Sequence, residues 1–143
     1  MGQGNYTAVL FGVLDFDMST LQIPDDIIQK KQIDCIDVFY DQLESLEKAM
    51  SPFVIRTSYE CKHFYIGLAI AVDDEYLQQC WGIHDLDYQK IYASCGQRDG
   101  MYFADDYDDK TKYSSAFERI RALVRKFGVE LPEGRFMLVR DWD

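Results

Sequence analysis

Positive charge is scarce in this chain, and so are cysteine, histidine and long apolar runs. Its 143 residues hold 15 Lys and Arg against 25 Asp and Glu, a formal net charge of −10. Phosphate neutralisation needs a dense basic patch, so direct nucleic-acid binding is disfavoured. Four cysteines, Cys35, Cys61, Cys80 and Cys95, are too sparse for a disulfide scaffold at this size, and reduced thiols in a cytoplasm are expected. The longest apolar runs, Ala8 to Leu14 and Phe64 to Val72, are strand-sized and well short of the roughly 20 residues of a bilayer span. The opening residues show neither a basic n-region nor a small-residue cleavage site, so no secretory signal is expected. Tyr6 stands where a myristoylation motif wants Ser or Thr.

Catalytic signatures are missing too. The sequence holds no G-x-S-x-G elbow, P-loop, G-x-G-x-x-G or H-E-x-x-H. Carboxylates abound, but nothing singles out a pair with separated environments. There is no positive reason to read an enzyme, and no cofactor is implied.

What remains is apolar and aromatic. Hydrophobic residues make up 48% of the chain, with ten Tyr and nine Phe, which argues against disorder. The length suits one globular domain over residues 1–143, burying roughly 68–70% of the extended-chain surface. Tyr6 to Leu14 and Phe64 to Val72 are near-continuous apolar runs, as in strands flanked on both sides. Phe53 to Tyr59 and Phe136 to Trp142 carry charge and read as edge strands. A short link, Glu60 to His63, makes the second and third strands a hairpin.

Three segments have helical periodicity. In Asp34 to Met50 the apolar positions Ile36, Phe39/Tyr40, Leu43, Leu46 and Met50 recur at spacings of three and four, until Pro52 stops the helix. From Asp74 the positions Leu77, Trp81, His84, Tyr88, Ile91 and Cys95 keep that rhythm to Gly96, with Gly82 able to split it. The last helix is expected from Ser114 or Ser115 to Gly128.

The expected fold class is α+β, a four-stranded, mainly antiparallel sheet with helices packed on one face. The order βαββα(α)β resembles the ferredoxin-like fold, which implies the first and third strands in the middle and the second and fourth at the edges. Residues 97–112 read as a polar insertion loop.

Charge is uneven along the chain. Residues 1–109 carry 7 Lys and Arg against 20 Asp and Glu, a balance of −13, and the remainder 8 against 5, a balance of +3. The sharpest cluster is Asp105, Asp106, Tyr107, Asp108 and Asp109, flanked by Tyr102, Phe103 and Tyr113. Such a run is either solvated or aimed at a cationic partner, and its aromatics suit a contact surface. An EF-hand counted from Asp106 fails, because its sixth and twelfth positions hold Thr111 and Phe117. A second cluster, Asp34, Asp37, Asp41 and Glu44, steps by three, four and three along one face of the first helix, and Glu47 extends it. It reads as a solvated face or as a carboxylate array mimicking spaced phosphates.

Cys80 and His84, four apart on an expected helix, and Cys61 and His63 in the hairpin turn define an alternative, a small-molecule or metal-binding domain. No zinc spacing is matched, and His84 on an apolar stripe reads more readily as a core residue. Arg119, Arg121, Arg125 and Lys126 on the last helix suit its negative end and partner carboxylates nearby.

In size, acidity and lack of catalytic motifs the chain resembles phage-encoded inhibitors and bacterial immunity proteins. That resemblance implies a cytoplasmic interaction protein that binds, and blocks, a basic, nucleic-acid-binding protein partner through the two acidic clusters.

Overall fold

The β-branched and aromatic runs of the sequence pair into one open sheet in the computed structural model, which describes residues 5–24, 35–60, 63–94, 96–98 and 101–142. The long strands are β1 (Asn5–Leu14), β2 (Val54–Glu60), β3 (His63–Val72) and β7 (Arg135–Trp142). Short strands are β4 (His84–Asp85), β5 (Gly96–Arg98) and β6 (Met101–Phe103). The helices are α1 (Cys35–Ala49), α2 (Glu75–Trp81), α3 (Tyr88–Ser94) and α4 (Thr111–Lys126). The class is α+β.

The sheet runs β2-β3-β1-β7-β6-β5, antiparallel except for the two-residue β4, which pairs in parallel with β3. β1 and β3 lie in the interior, and both are apolar on both faces. β7 is not an edge strand. Tyr102 and Phe103 of β6 pair with Leu138 and Met137, and Phe136 to Val139 are all buried. The sheet also has more than the four expected strands. Three-residue strands carry no readable period, and they borrow their order from the neighbour they pair with.

Alternation along β1 divides the core. Val9, Phe11 and Val13 face a large cluster with Phe39 and Leu43 of α1 and Phe117, Ile120 and Val124 of α4. Ala8 and Leu10 face the opposite cluster, with Tyr65, Phe103 and Met137, where Leu77 and Trp81 of α2 pack. Helices therefore sit on both faces rather than one. Gly12 pairs with Gly67 between β1 and β3. A Cβ on Gly67 would lie 2.9 Å from the Phe11 carbonyl oxygen, so the two glycines permit that close approach.

α1 and α4 lie on the same face and run antiparallel. Phe39 near the start of α1 meets Phe127 past the end of α4 at 5.5 Å, and Phe53 past the end of α1 meets Tyr113 at 6.4 Å. The buried stripe of α1 is Val38, Phe39 and Leu43, whereas Ile36 and Tyr40, expected in the core, are exposed at 41% and 39%.

The expected helix from Asp74 does split at Gly82. Gly82 takes a left-handed conformation (φ 66°) and its N–H closes the last turn on the Gln78 carbonyl, while the Asp74 carboxylate caps the start at the Leu77 N–H. His84 is therefore an exposed strand residue, not a member of a helical stripe. α4 starts at Thr111, earlier than Ser114 or Ser115, for a reason that lies in the acidic run. Among the described residues no helix is long and apolar enough to cross a membrane.

Candidate functional site

The acidic run is part of the fold. Chain reversal between β6 and α4 brings Ala104 and Tyr107 into the core, and the Tyr107 ring packs 5.6 Å from Phe136. Lys90 lies over the Tyr107 ring at 4.7 Å. Burial raises the Tyr107 phenol above its ordinary value, with Asp108 adding to the effect. Tyr113 is raised by burial as well.

The carboxylates around this anchor are mostly committed to neighbours. Asp105 takes a two-pronged bond from Arg135, Nε to Oδ1 at 3.0 Å and Nη2 to Oδ2 at 2.7 Å. The guanidinium meanwhile lies 3.6 Å over the Phe103 ring. Asp108 accepts from the Asp109 N–H at 2.8 Å and from the Tyr113 hydroxyl at 3.3 Å, with Lys112 at 3.9 Å. Asp109 accepts from both the N–H and the hydroxyl of Thr111, which holds its carboxyl below the usual range. Those bonds serve an otherwise unsatisfied donor of the first turn of α4, and they set the early helix start. Asp106 is exposed and has no partner among the described residues. Of the loop, Asp106 alone is left unengaged.

The second cluster behaves differently. Asp37 and Asp41 stand exposed on α1 with no cation against them among the described residues, and Glu44 shares Lys48 at 3.4 Å, one turn away. Exposed Ile36 and Tyr40 lie beside them at the same spacing of four. Asp34 lies outside the described residues. With α1 and α4 antiparallel, Asp37 sits roughly 18 Å along its helix from the end that adjoins the acidic run. The two clusters thus share a layer of the fold, with Asp37 at the end of α1 far from the run and Glu44 nearer to it.

Between α1 and β2 runs an open groove of ≈ 270 Å³, lined by Tyr40, Leu43, Glu44, Glu47, Ile55, Arg56 and Thr57. Glu47, expected only to extend the stripe, closes one end. It accepts the Ile55 N–H at 2.8 Å and stands 3.6 Å from Arg56. Arg56 donates to the Ile55 carbonyl at 2.9 Å and lies 4.2 Å over the Trp81 ring on the other face of the sheet. Farther along, the Tyr40 hydroxyl meets the Thr57 hydroxyl at 3.3 Å. None of this was readable from α1 alone. The one available signal was the spacing of Ile36 and Tyr40, which matches that of Asp37 and Asp41.

Cys80 and His84 do not share a helix, contrary to expectation. Cys80 is an exposed free thiol on α2, and His84 lies beyond that helix. Cys61 and Cys95 lie outside the described residues, and nothing is described of the His63 side chain. Among the described residues no group of three or more His, Cys, Asp or Glu could hold a metal ion. Compared with protein-family models, curated proteins and solved structures, the chain matches none of them.

Proposed function

We propose that this is a small interaction protein that binds, and thereby inhibits, a basic protein through the outer face of α1. One observation carries the reading. Asp37 and Asp41 stand exposed, with no cation against them among the described residues, beside two large apolar side chains, Ile36 and Tyr40. Carboxylates steer a cationic partner and set its orientation, and adjacent apolar area supplies the contact that holds it. The loop from Asp105 to Asp109 takes a lesser part, because three of its four acids serve the fold and Asp106 is the one acid of the run without a partner among the described residues. A row of carboxylates at helical spacing suits a partner whose own ligand is polyanionic, such as a nucleic-acid-binding protein.

Two finer expectations belong with this reading. The sequence of long strands β2-β3-β1-β7 supports a ferredoxin-like core, extended past β7 by β6 and β5. An exposed free thiol at Cys80 suits a cytoplasmic setting.

The test is affinity capture from the native host with a salt gradient, comparing the wild type with the Asp37→Lys, Asp41→Lys, Glu44→Lys variant. A basic protein that elutes at moderate salt and is lost with the variant is expected. Capture of the same protein, undiminished by the reversal, would sink the reading.

A further inference from the structure

The free edge of β2 gives the proposed surface a binding mode. β2 pairs with β3 on one side, and among the described residues no strand is hydrogen-bonded to its other side. Both backbone groups of Ile55 point outward, since its N–H goes to Glu47 and its carbonyl to Arg56. An antiparallel ladder alternates, so the backbone groups of Thr57 and Tyr59 point outward as well. The Glu47–Arg56 pair blocks the edge at Ile55, and among the described residues nothing is hydrogen-bonded to the outward backbone groups of Thr57. Sheet edges are usually blunted along their length, and this one is blunted at one end.

We infer that the outer edge of β2 receives an extended, lysine- or arginine-bearing segment of the partner as an added strand, with α1 forming one wall. The inference rests on the functional reading above and specifies its geometry. A strand laid along Thr57 places every second side chain on the α1 side of the sheet. There it meets the Tyr40 ring and Glu44, with Asp41 and Asp37 adjacent on the same helix. Charge decides the occupant. In the groove Arg56 is matched by Glu47, and α1 adds Glu44 at the groove with Asp37 and Asp41 on its exposed face against Lys48, so an acidic strand is repelled and a basic one attracted. Main-chain bonds supply affinity in this mode, and the carboxylate wall supplies the selection.

The probe is a short acetylated peptide of alternating lysine and threonine, titrated against the intact protein with amide shifts and hydrogen exchange as readouts. Slowed exchange of the Thr57 amide is expected, together with affinity that falls steeply with salt. Thr57→Pro removes one outward donor without touching the β3 ladder and is expected to weaken binding about tenfold or more. The Asp37→Lys, Asp41→Lys variant is expected to do the same. Should Thr57→Pro disturb the fold, a peptide N-methylated at every second residue makes the same comparison on the wild type. Binding lost on charge reversal but untouched by Thr57→Pro and by N-methylation overturns the added strand while sparing the acidic-face reading. Binding that no substitution alters, or no binding at all, overturns the inference. A concentration-dependent mass in sedimentation that Thr57→Pro abolishes also overturns it, since the edge then receives a second copy of this chain.

Discussion

Replacing Tyr107 with alanine distinguishes a loop that belongs to the core from one that merely hangs on it. Tyr107 sits amid four aspartates, yet it is only 8% exposed, with Phe136 against one side and Lys90 over the ring. Truncating a buried aromatic loses its transfer free energy and leaves a cavity, a combined cost of about 3–5 kcal/mol. Part of that is the edge-to-face contact with Phe136, about 0.5–1.5 kcal/mol. For a chain of this length each kcal/mol lowers the melting temperature by about 3–5 °C, so a fall of roughly 10–20 °C is expected. Tyr107→Phe keeps the ring and is expected to cost under about 1 kcal/mol. The assay is reversible thermal or urea unfolding followed by circular dichroism, with Asp106→Ala, expected to be silent, as the local control. A loss below about 1 kcal/mol for Tyr107→Ala would refute the placement of this residue in the core.

The remaining predictions concern pH, packing and metal. An unfolded chain releases its tyrosine protons near pH 10, while the folded protein holds those of Tyr107 and Tyr113 to higher pH. Stability from these groups is therefore full below about pH 10 and lost as pH rises through their folded values, and Tyr107→Phe is expected to flatten the decline in melting temperature. Asp109 gives the opposite sign, because its folded value is depressed by Thr111. Its contribution is present above the unfolded value and disappears as pH falls through the folded one, so Asp109→Asn is expected to shrink the acid limb of the same melting curve. Gly12→Ala is expected to cost about 1–3 kcal/mol or more, since its Cβ meets the Ile66 backbone; an unchanged denaturation midpoint would contradict that strand pairing. Elemental analysis of purified protein is expected to show no stoichiometric zinc, and finding it would restore the alternative built on Cys61, His63, Cys80 and His84.

Much of the fold was legible because β1 and β3 are apolar in unbroken runs and α1 and α4 keep their period over several turns. Strength of pattern follows from length. Met101 to Phe103 and His84 to Asp85 are too short to show one, and pairing with β7 and β3 decides their state. Gly82 was readable as a break, because a left-handed residue ends a helix wherever it occurs. The acidic run was visible at once, but its use was not. Arg135 lies 30 residues from Asp105 in sequence, and only folding brings the two together. Likewise nothing in Asp34 to Met50 told which of Phe39 and Tyr40 turns inward. The sheet beneath decides that.

The commitments within the acidic run carry a consequence for descent. Asp105, Asp108 and Asp109 each serve a geometric partner, Arg135, Tyr113 and Thr111, whereas Asp106 serves none among the described residues. Drift at these four positions is then unequal. Position 106 is free to wander under selection for charge alone. Position 105 can change only in step with 135, and position 109 only for another residue that can cap α4. Divergent copies of this protein would keep Asp105, Asp108 and Asp109 in their spacing, and position 106 would be the first of the four to exchange Asp for another residue.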